Sequence, residues 1–285
     1  NLNKALPLIA LQYHDVEIEV KLKKWESCYQ LLRSGTDSSS NSSLFHVDKN
    51  SSLKLTEQSI KNVRLDCNFL YLDTEERKRI AQKEHRYLIS QVQDIKHSVS
   101  QGKSVELNFN HPVKEIFFVL QNNYIASLPD GLNFSNKPEY PSDDMFSKPG
   151  FTFSKFNSAF KNHLLDKARI LVNTIPRVEW KDFKYFYYVQ NYENYRSKLE
   201  HLIYMYSFSA NPKHKDPLGS LNFSRIDNSQ LQFTLNQESI NDFKEFLPSS
   251  LENQVNHNNF EMRIYAINYN YLVIKSGMGG IQFSN

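Results

Sequence analysis

Short segments in which apolar and polar residues alternate recur along the chain, and they constrain its fold more than any other feature. The clearest case lies within residues 6–22, where every second residue from position 16 is apolar: Val16, Ile18, Val20 and Leu22. Side chains of a strand point alternately to the two faces of a sheet. The pattern therefore predicts a strand with one buried and one solvated face.

Similar segments follow at intervals, separated by turns and irregular loops. The further predicted strands are 62–73, 104–110, 113–121, 168–173, 202–210, 220–227, 230–236 and 261–277. The 20 Phe and 16 Tyr residues suit pleated, half-buried surfaces, and the abundant Asn and Ser suit turns. Many short strands of this kind favour an all-β sandwich or barrel. Within the last strand we expect Val273 to lie in the core, so that Val273→Asp prevents folding.

One segment has the period of a helix. In residues 73–93 the apolar residues Ile80 and Leu88 fall near helical spacing, and Asp73 with Glu76 resembles a capping box. We predict a helix over 74–97 that links two β units.

Two regions are predicted to be loops. A Ser/Asn-rich loop is expected at about 34–52, and residues 122–166 form a long irregular region with several prolines. Loops of that length generally serve a binding or packing role.

Patterns for catalysis or cofactor binding are missing from the sequence. It has no G-x-S-x-G, H-E-x-x-H or P-loop motif, and no His-x-His pair of the kind that cupin-type metal sites use. The position of His14 favours a hydrogen-bonded or edge-exposed side chain over a metal ligand. Cys28 and Cys67 are interpreted as two buried thiols. We therefore predict no catalytic, cofactor-binding or metal-binding residues.

Aromatic residues suggest where partners could bind. The segment 183–195 (FKYFYYVQNYENY) could be a stacking platform for sugars or bases, but it lacks the many interleaved Lys and Arg of such platforms, so core plus interface is favoured. Candidate core or interface anchors, with core as the default, are Phe117, Phe118, Trp180, Phe186 and Tyr187. The near balance of 34 Lys and Arg against 31 Asp and Glu does not indicate a nucleic-acid surface.

Asn-x-Ser/Thr sequences mark candidate glycosylation sites at Asn41, Asn50 and Asn133. A fourth, Asn222, falls inside a predicted strand and is the weakest candidate.

The glycine-rich end of the chain, KSGMGGIQFSN (275–285), raises two alternatives. A phosphate-binding loop requires a following helix whose N–H groups face the anion, and only IQFSN follows Gly280. We therefore expect the final strand of a β-fold with a glycine-rich exit, where glycine permits positive φ or close backbone packing.

Several blocks of sequence together resemble one protein family. They are LPLIALQYHDVEI (6–18), LYLDTEERKRIAQKEHRYLISQVQ (70–93), LNFNHPVKEIFFVLQ (107–121), YMYSFSANPKHKDPLGSLNFSRIDNSQL (204–231) and YAINYNYLVIKSGMGGIQFSN (265–285). In this order they resemble the major capsid proteins of nucleocytoplasmic large DNA viruses.

The resemblance implies an all-β double jelly roll, with the second jelly roll complete and the first only partly present. Residues 1–73 would be the last strands of the first jelly roll, 74–97 the linker helix and 98–285 the second jelly roll. The chain would then be the C-terminal portion of a longer protein.

The implied function is structural, without catalysis or cofactors. Three copies would form a pseudo-hexagonal capsomer of an icosahedral virion shell, assembled in the host cytoplasm. The implied partners are two further copies, neighbouring capsomers and minor capsid proteins beneath the shell, with an internal viral membrane nearby and no direct contact with nucleic acid. The alternatives are a jelly-roll module that binds glycans or attaches to a host and, disfavoured by the missing His-x-His pair, a cupin-like metalloenzyme.

Overall fold

The fold is described by a computed structural model that covers residues 5–22, 29, 31–37, 39–46, 62–99, 103–127, 132–141, 149–158, 161–197, 201–245 and 260–284. The strands are β1 (Leu32–Thr36), β2 (Ser42–His46), β3 (His85–Ser98), β4 (Ser104–Glu106), β5 (Pro112–Asn122), β6 (Leu165–Val172), β7 (Ile175–Asp182), β8 (Tyr204–Ser207), β9 (Leu221–Asn222), β10 (Ser229–Leu235), β11 (Phe260–Lys275) and β12 (Met278–Ile281). The α-helices are α1 (Thr74–Gln82), α2 (Asn123–Ser127), α3 (Phe153–Ser158), α4 (Gln190–Tyr195) and α5 (Gln237–Glu245). A π-helix (Tyr185–Val189) runs directly into α4.

Two antiparallel sheets form a sandwich. One has the order β3-β11-β5-β8, with β12 and β9 as short additions beside β11 and β5, and the other has the order β4-β10-β6-β7. Two facing four-stranded sheets in this order form an eight-stranded jelly roll. The predicted all-β fold is therefore confirmed, and β1 and β2 form a separate hairpin.

The core lies between the two sheets. Phe118 and Ile264 from one sheet and Phe233 from the other are each 0% exposed and belong to one hydrophobic cluster. Burying each such side chain contributes about 1.5–3 kcal/mol relative to leaving it in water. The sandwich thus has a continuous core of its own.

The predicted linker helix is only partly correct. Helix α1 begins after Asp73, whose carboxylate accepts the backbone N–H of Glu76 at 2.9 Å, as the capping-box pattern indicates. The helix ends at Gln82, and residues 85–98 form strand β3 instead. Their burial alternates, and β3 pairs with β11 from His85 to Ser98. Continuous pairing with a long buried strand thus outweighs the apparent helical spacing, and the first strand of the sandwich lies inside the predicted linker.

Two predicted strands near the N-terminus differ from expectation. Residues 14–22 and 62–73 have no assigned strand or helix, and neither segment is paired with a strand among the described residues. The apolar face predicted to be buried is exposed: Val20 is 66% and Leu65 64% accessible. Cys67 in the second segment is also exposed, so its prediction as a buried thiol is wrong, and Cys28 lies outside the described residues.

The predicted strands 113–121, 168–173, 230–236 and 261–277 agree closely with β5, β6, β10 and β11. The predicted strands 104–110, 202–210 and 220–227 are too long, since they contain only the short strands β4, β8 and β9, and residues 223–225 form a 3-10 helix. Strand β7 was not predicted, because Val178 is the only buried residue in it and a proline follows its first residue. The run LIYMYSF (202–208) is apolar on both faces, a pattern that predicts a central strand. Strand β8 within it is buried on both faces, but it lies at the end of its sheet. The π-helix and α4 contact β8 and account for its second buried face.

Candidate assembly surfaces

The part of the chain that the structure describes contains no group of three or more His, Cys, Asp and Glu side chains able to hold a metal ion. No helix within those ranges has the length and apolar character needed to cross a bilayer. What this part of the chain offers is a set of buried polar contacts and several exposed apolar surfaces.

The glycine-rich tail forms a hairpin on which an N-terminal segment is seated. Ser276 and Gly277, with φ of 53° and 78°, make the turn between β11 and β12. The carbonyl of Gly277 accepts the N–H of Tyr13 at 2.9 Å. The N–H of Gly279 donates to Nδ1 of His14 at 3.1 Å, so His14 is hydrogen-bonded as predicted. The tail is therefore a contact between distant parts of the chain.

The space around these glycines explains their positions. A Cβ at Gly277 would lie 2.6 Å from the Tyr13 ring, and one at Gly279 would lie 2.9 Å from Leu11 Cδ2. A Cβ at Gly280 would meet no atom within 4 Å. Glycine is thus needed at position 277 for both φ and close approach, and the predicted glycine-rich exit is itself strand β12.

A buried charge ties the helical segment to the sheet. Glu115 in β5 is 0% exposed, and its Oε1 lies 3.5 Å from Lys114 Nζ. The hydroxyl of Tyr195, at the end of α4, donates to Glu115 Oε2 at 2.6 Å. Burial, together with the neighbouring carboxylate, raises the pKa of Tyr195 well above its usual value. The proton therefore stays on Tyr195, and α4 is held against β5 by a charge-assisted hydrogen bond.

A second polar contact lies among aromatic rings at the same edge of the sandwich. The ring of His163 stacks on Phe183 with centroids 4.1 Å apart, and its Nδ1 lies 3.0 Å from the hydroxyl of Tyr204. Burial lowers the pKa of His163 to about 4, with a small opposing effect from Asp182. His163 is therefore neutral near pH 7.

The two predicted loop regions meet, but neither is irregular throughout. The end of β1 and all of β2 lie within 34–52, because the two segments pair with each other as a hairpin, and α2 and α3 lie within 122–166. Asp37, between β1 and β2, accepts the N–H groups of Ser39 and Asn41 through Oδ1, both at 2.9 Å. Its Oδ2 accepts the N–H of Phe153 at the start of α3, at 2.7 Å. Burial acts to raise the pKa of Asp37, but these hydrogen bonds outweigh it, so the pKa lies below its usual value. No local pattern indicates this contact, since 116 residues separate the partners.

The candidate glycosylation sites differ in access. Asn41 is exposed, whereas Asn50 lies outside the described residues. Asn133 is only 7% exposed, and its amide nitrogen donates to the carbonyl of Lys137 at 2.8 Å. Glycosylation at these positions stays a prediction. Asn222 is half-buried in β9.

The five predicted aromatic anchors separate into two groups. Phe118, Phe186 and Tyr187 are buried in the core, which matches the default interpretation. Phe117 is half-buried against Tyr195, and Trp180 is 38% exposed, with the guanidinium of Arg169 4.8 Å from its ring centre. Phe117 and Trp180 are therefore not core residues.

The tyrosine-rich segment has two different faces. Phe186 and Tyr187 point into the core, whereas Tyr188, Val189 and Tyr192 are 49%, 41% and 71% exposed. Large apolar side chains exposed together, opposite a buried face, are typical of interaction surfaces.

Comparison with known proteins places the chain. A family model described as large eukaryotic DNA virus major capsid protein matches residues 76–280, and one described as major capsid protein N-terminus matches residues 1–73. The major capsid proteins of Phaeocystis pouchetii virus and Paramecium bursaria Chlorella virus 1 are 28% and 29% identical over 99% of this chain. The chain spans 62% and 63% of their lengths.

A solved structure agrees with these matches. The quasi-atomic model of the PBCV-1 virus capsid is 31% identical, with a TM-score of 0.55, over 75% of this chain and 55% of that one. Together with the jelly roll formed by β3 to β11, these similarities show that the chain belongs to the major capsid protein family of large eukaryotic DNA viruses, the family that its sequence blocks resemble.

Proposed function

We propose that this chain is part of a structural shell protein, three copies of which form a pseudo-hexagonal capsomer of an icosahedral virion. The observation that carries the proposal is the exposed apolar face of residues 14–22 and 62–73, within the region that matches the N-terminal capsid domain. These side chains require a partner surface. In a capsid protein a completed first jelly roll, packed within an oligomer, supplies one.

Similarity to capsid proteins supports the remaining parts of the proposal. The protein acts without catalysis, resides in the virion shell and is assembled in the host cytoplasm. Its neighbours are other capsomers and minor capsid proteins beneath the shell, near an internal membrane and without direct contact with nucleic acid. Obligate interfaces of the kind a capsomer requires bury roughly 2,000 Å² or more.

The test is the oligomeric state of the full-length protein. Native mass measurement is expected to give a trimer over a wide concentration range. A protein that stays monomeric at high concentration would contradict the proposal.

The exposed Tyr188 and Tyr192 support one alternative, a glycan-binding or host-attachment module, because aromatic rings stack on sugars. A glycan array separates the two functions. Saturable sugar binding by a protein that does not assemble would favour the module.

A further inference from the structure

The helical segment between β7 and β8 has an unusual outer face. Its inner face is anchored by the buried residues Phe186 and Asn191 and by the hydrogen bond from Tyr195 to Glu115. A surface helix with one face in the core normally shows charged and polar residues to solvent. Here the outer face carries Tyr188, Val189 and Tyr192 together with charged residues. Of these, Glu193 accepts a hydrogen bond from Gln190 Nε2 at 3.2 Å, which leaves the cations Lys184 and Arg196 in excess.

Charged residues bracket the exposed tyrosines. Lys184 directly precedes the π-helix that contains Tyr188, and Arg196, with φ of 51°, directly follows the helix α4 that contains Tyr192. Lys184 and Arg196 are both exposed. We call these four residues with Val189 the helical patch. Exposed aromatic residues between cations suit a protein partner that is partly apolar and carries acidic groups.

The position of the helical patch indicates which part of the assembly it faces. In the sheet β3-β11-β5-β8 the helical segment leads into β8, whereas α1 leads into β3 at the opposite edge, about 14 Å away over three strand spacings. The described N-terminal segment also reaches the β3 edge, where Tyr87 donates to the carbonyl of Ala5 at 3.3 Å. The chain's own N-terminal unit is therefore tethered at the edge away from the helical patch.

We infer that the helical patch binds a second copy of this chain, through the acidic segment at residues 15–19 of that copy. A closed threefold ring is built from heterologous contacts, so each copy needs two different surfaces on different sides. Asp15, Glu17 and Glu19 are exposed and alternate with Val16 and Ile18, which gives the segment the acidic character that Lys184 and Arg196 require. The inference rests on the trimer proposed above and assigns one of its contacts.

Charge exchange in the full-length protein tests the contact. Two double variants each reverse the charge on one side of the contact: Lys184→Glu/Arg196→Glu on the helical patch and Asp15→Lys/Glu17→Lys on the acidic segment. Each is expected to raise the concentration at which the trimer dissociates by at least about tenfold. All four substitutions together are expected to restore the wild-type value, because the same pairs form with reversed sign. Tyr192→Ala is expected to weaken the trimer similarly. Ile175→Ala is the matched control, since Ile175 is 70% exposed, like Tyr192, but lies at the β6–β7 turn.

Each outcome decides the inference. Trimers that all variants keep, or a fourfold variant that stays dissociated, would overturn the assigned contact and leave the trimeric capsomer in place. Dissociation by Ile175→Ala to the same extent would also overturn it, because the effect would not be specific to the helical patch. A wild-type protein that is monomeric would overturn the capsomer together with this contact. Circular dichroism of every variant checks that a lost trimer is not a lost fold.

Discussion

Replacing the tail glycines one at a time measures how firmly the N-terminal segment is seated on the β11–β12 hairpin. Gly277→Ala introduces two separate penalties. The residue has φ of 78°, a conformation that costs an alanine about 1–2 kcal/mol. The new Cβ would also lie 2.6 Å from the Tyr13 ring, so the ring must move away from its position on the hairpin.

Other glycines in the same chain separate these penalties. Gly150 has φ of 77° with no atom within 4 Å of its added Cβ, so Gly150→Ala reports the cost of conformation alone. Gly280 has open space and no positive φ, so Gly280→Ala is expected to change the free energy of unfolding by less than about 0.5 kcal/mol. Gly279→Ala is expected to cost less than about 1 kcal/mol, because the atom it meets is the mobile end of Leu11.

Gly277→Ala should therefore lower the free energy of unfolding by about 2–3 kcal/mol, of which about 1 kcal/mol comes from the contact with Tyr13. Urea unfolding followed by circular dichroism measures each value. In the double variant Tyr13→Ala/Gly277→Ala the contact penalty is expected to disappear while the conformational penalty remains. If Gly277→Ala unfolds like Gly280→Ala, the N-terminal segment is not seated on this hairpin and the reasoning fails.

Three further predictions follow from individual contacts. Ile274→Asp is expected to prevent folding, because Ile274 is 0% exposed. Val273→Asp should be tolerated, because Val273 is half-buried and paired with Arg86. Soluble expression with a cooperative thermal transition distinguishes the two variants. The pKa of His163 is lowered from 6.5 to about 4. The stabilisation of the fold by neutral His163 is therefore complete above pH 6.5 and is lost as the pH falls toward 4. Allowing for its partial exposure, this loss amounts to about 1–3 kcal/mol, and His163→Gln should flatten that part of the pH–stability curve; an unchanged curve would contradict the assignment. Asp37→Ala should speed amide hydrogen exchange at Phe153, whose N–H loses its acceptor, and Asp37→Asn should do so less; equal exchange in wild type and Asp37→Ala would show that the two loops do not meet.

The sequence predicted elements whose pattern has one physical interpretation. Residues 261–267 alternate because one side of the strand faces the core, and 113–121 form a short apolar run between turn residues; both are strands in the structure. The pattern around Leu88 is ambiguous, since Ile80 and Leu88, eight residues apart, fit the period of a helix as well as that of a strand. Only pairing with β11, which lies some 175 residues away, decided it. The contact of Asp37 with Phe153 was unpredictable for the same reason, because no local pattern encodes a hydrogen bond between two loops.

The side of the sheet that Val273 faces is likewise not encoded in its local sequence. The run Tyr271-Leu272-Val273-Ile274 is apolar throughout, so its composition does not reveal which residue faces inward. The structure places Ile274 in the buried position and Val273 opposite Arg86. Where apolar and polar residues do not alternate, a sequence can predict a strand but not which of its residues face the core.

The N-terminal unit and the jelly roll differ in how their apolar residues are used, and the difference has an energetic consequence. Four apolar side chains of one segment are 48–66% exposed: Val16, Ile18, Val20 and Leu22. Burying them against a partner would contribute roughly 4–8 kcal/mol of stabilising free energy. That amount is comparable with the whole stability of a typical domain. The unit is nevertheless held at both of its ends: residues 11–14 lie on the β11–β12 hairpin, and His85, just after α1, pairs with Ile274 at the same end of β11. Because both ends are fixed at one end of the sandwich, the loop-closure part of the entropy cost is already met, and contacts with a partner have to offset only the ordering of the residues between them. Folding of the N-terminal unit and assembly are therefore expected to be coupled, with the jelly roll as the preformed part.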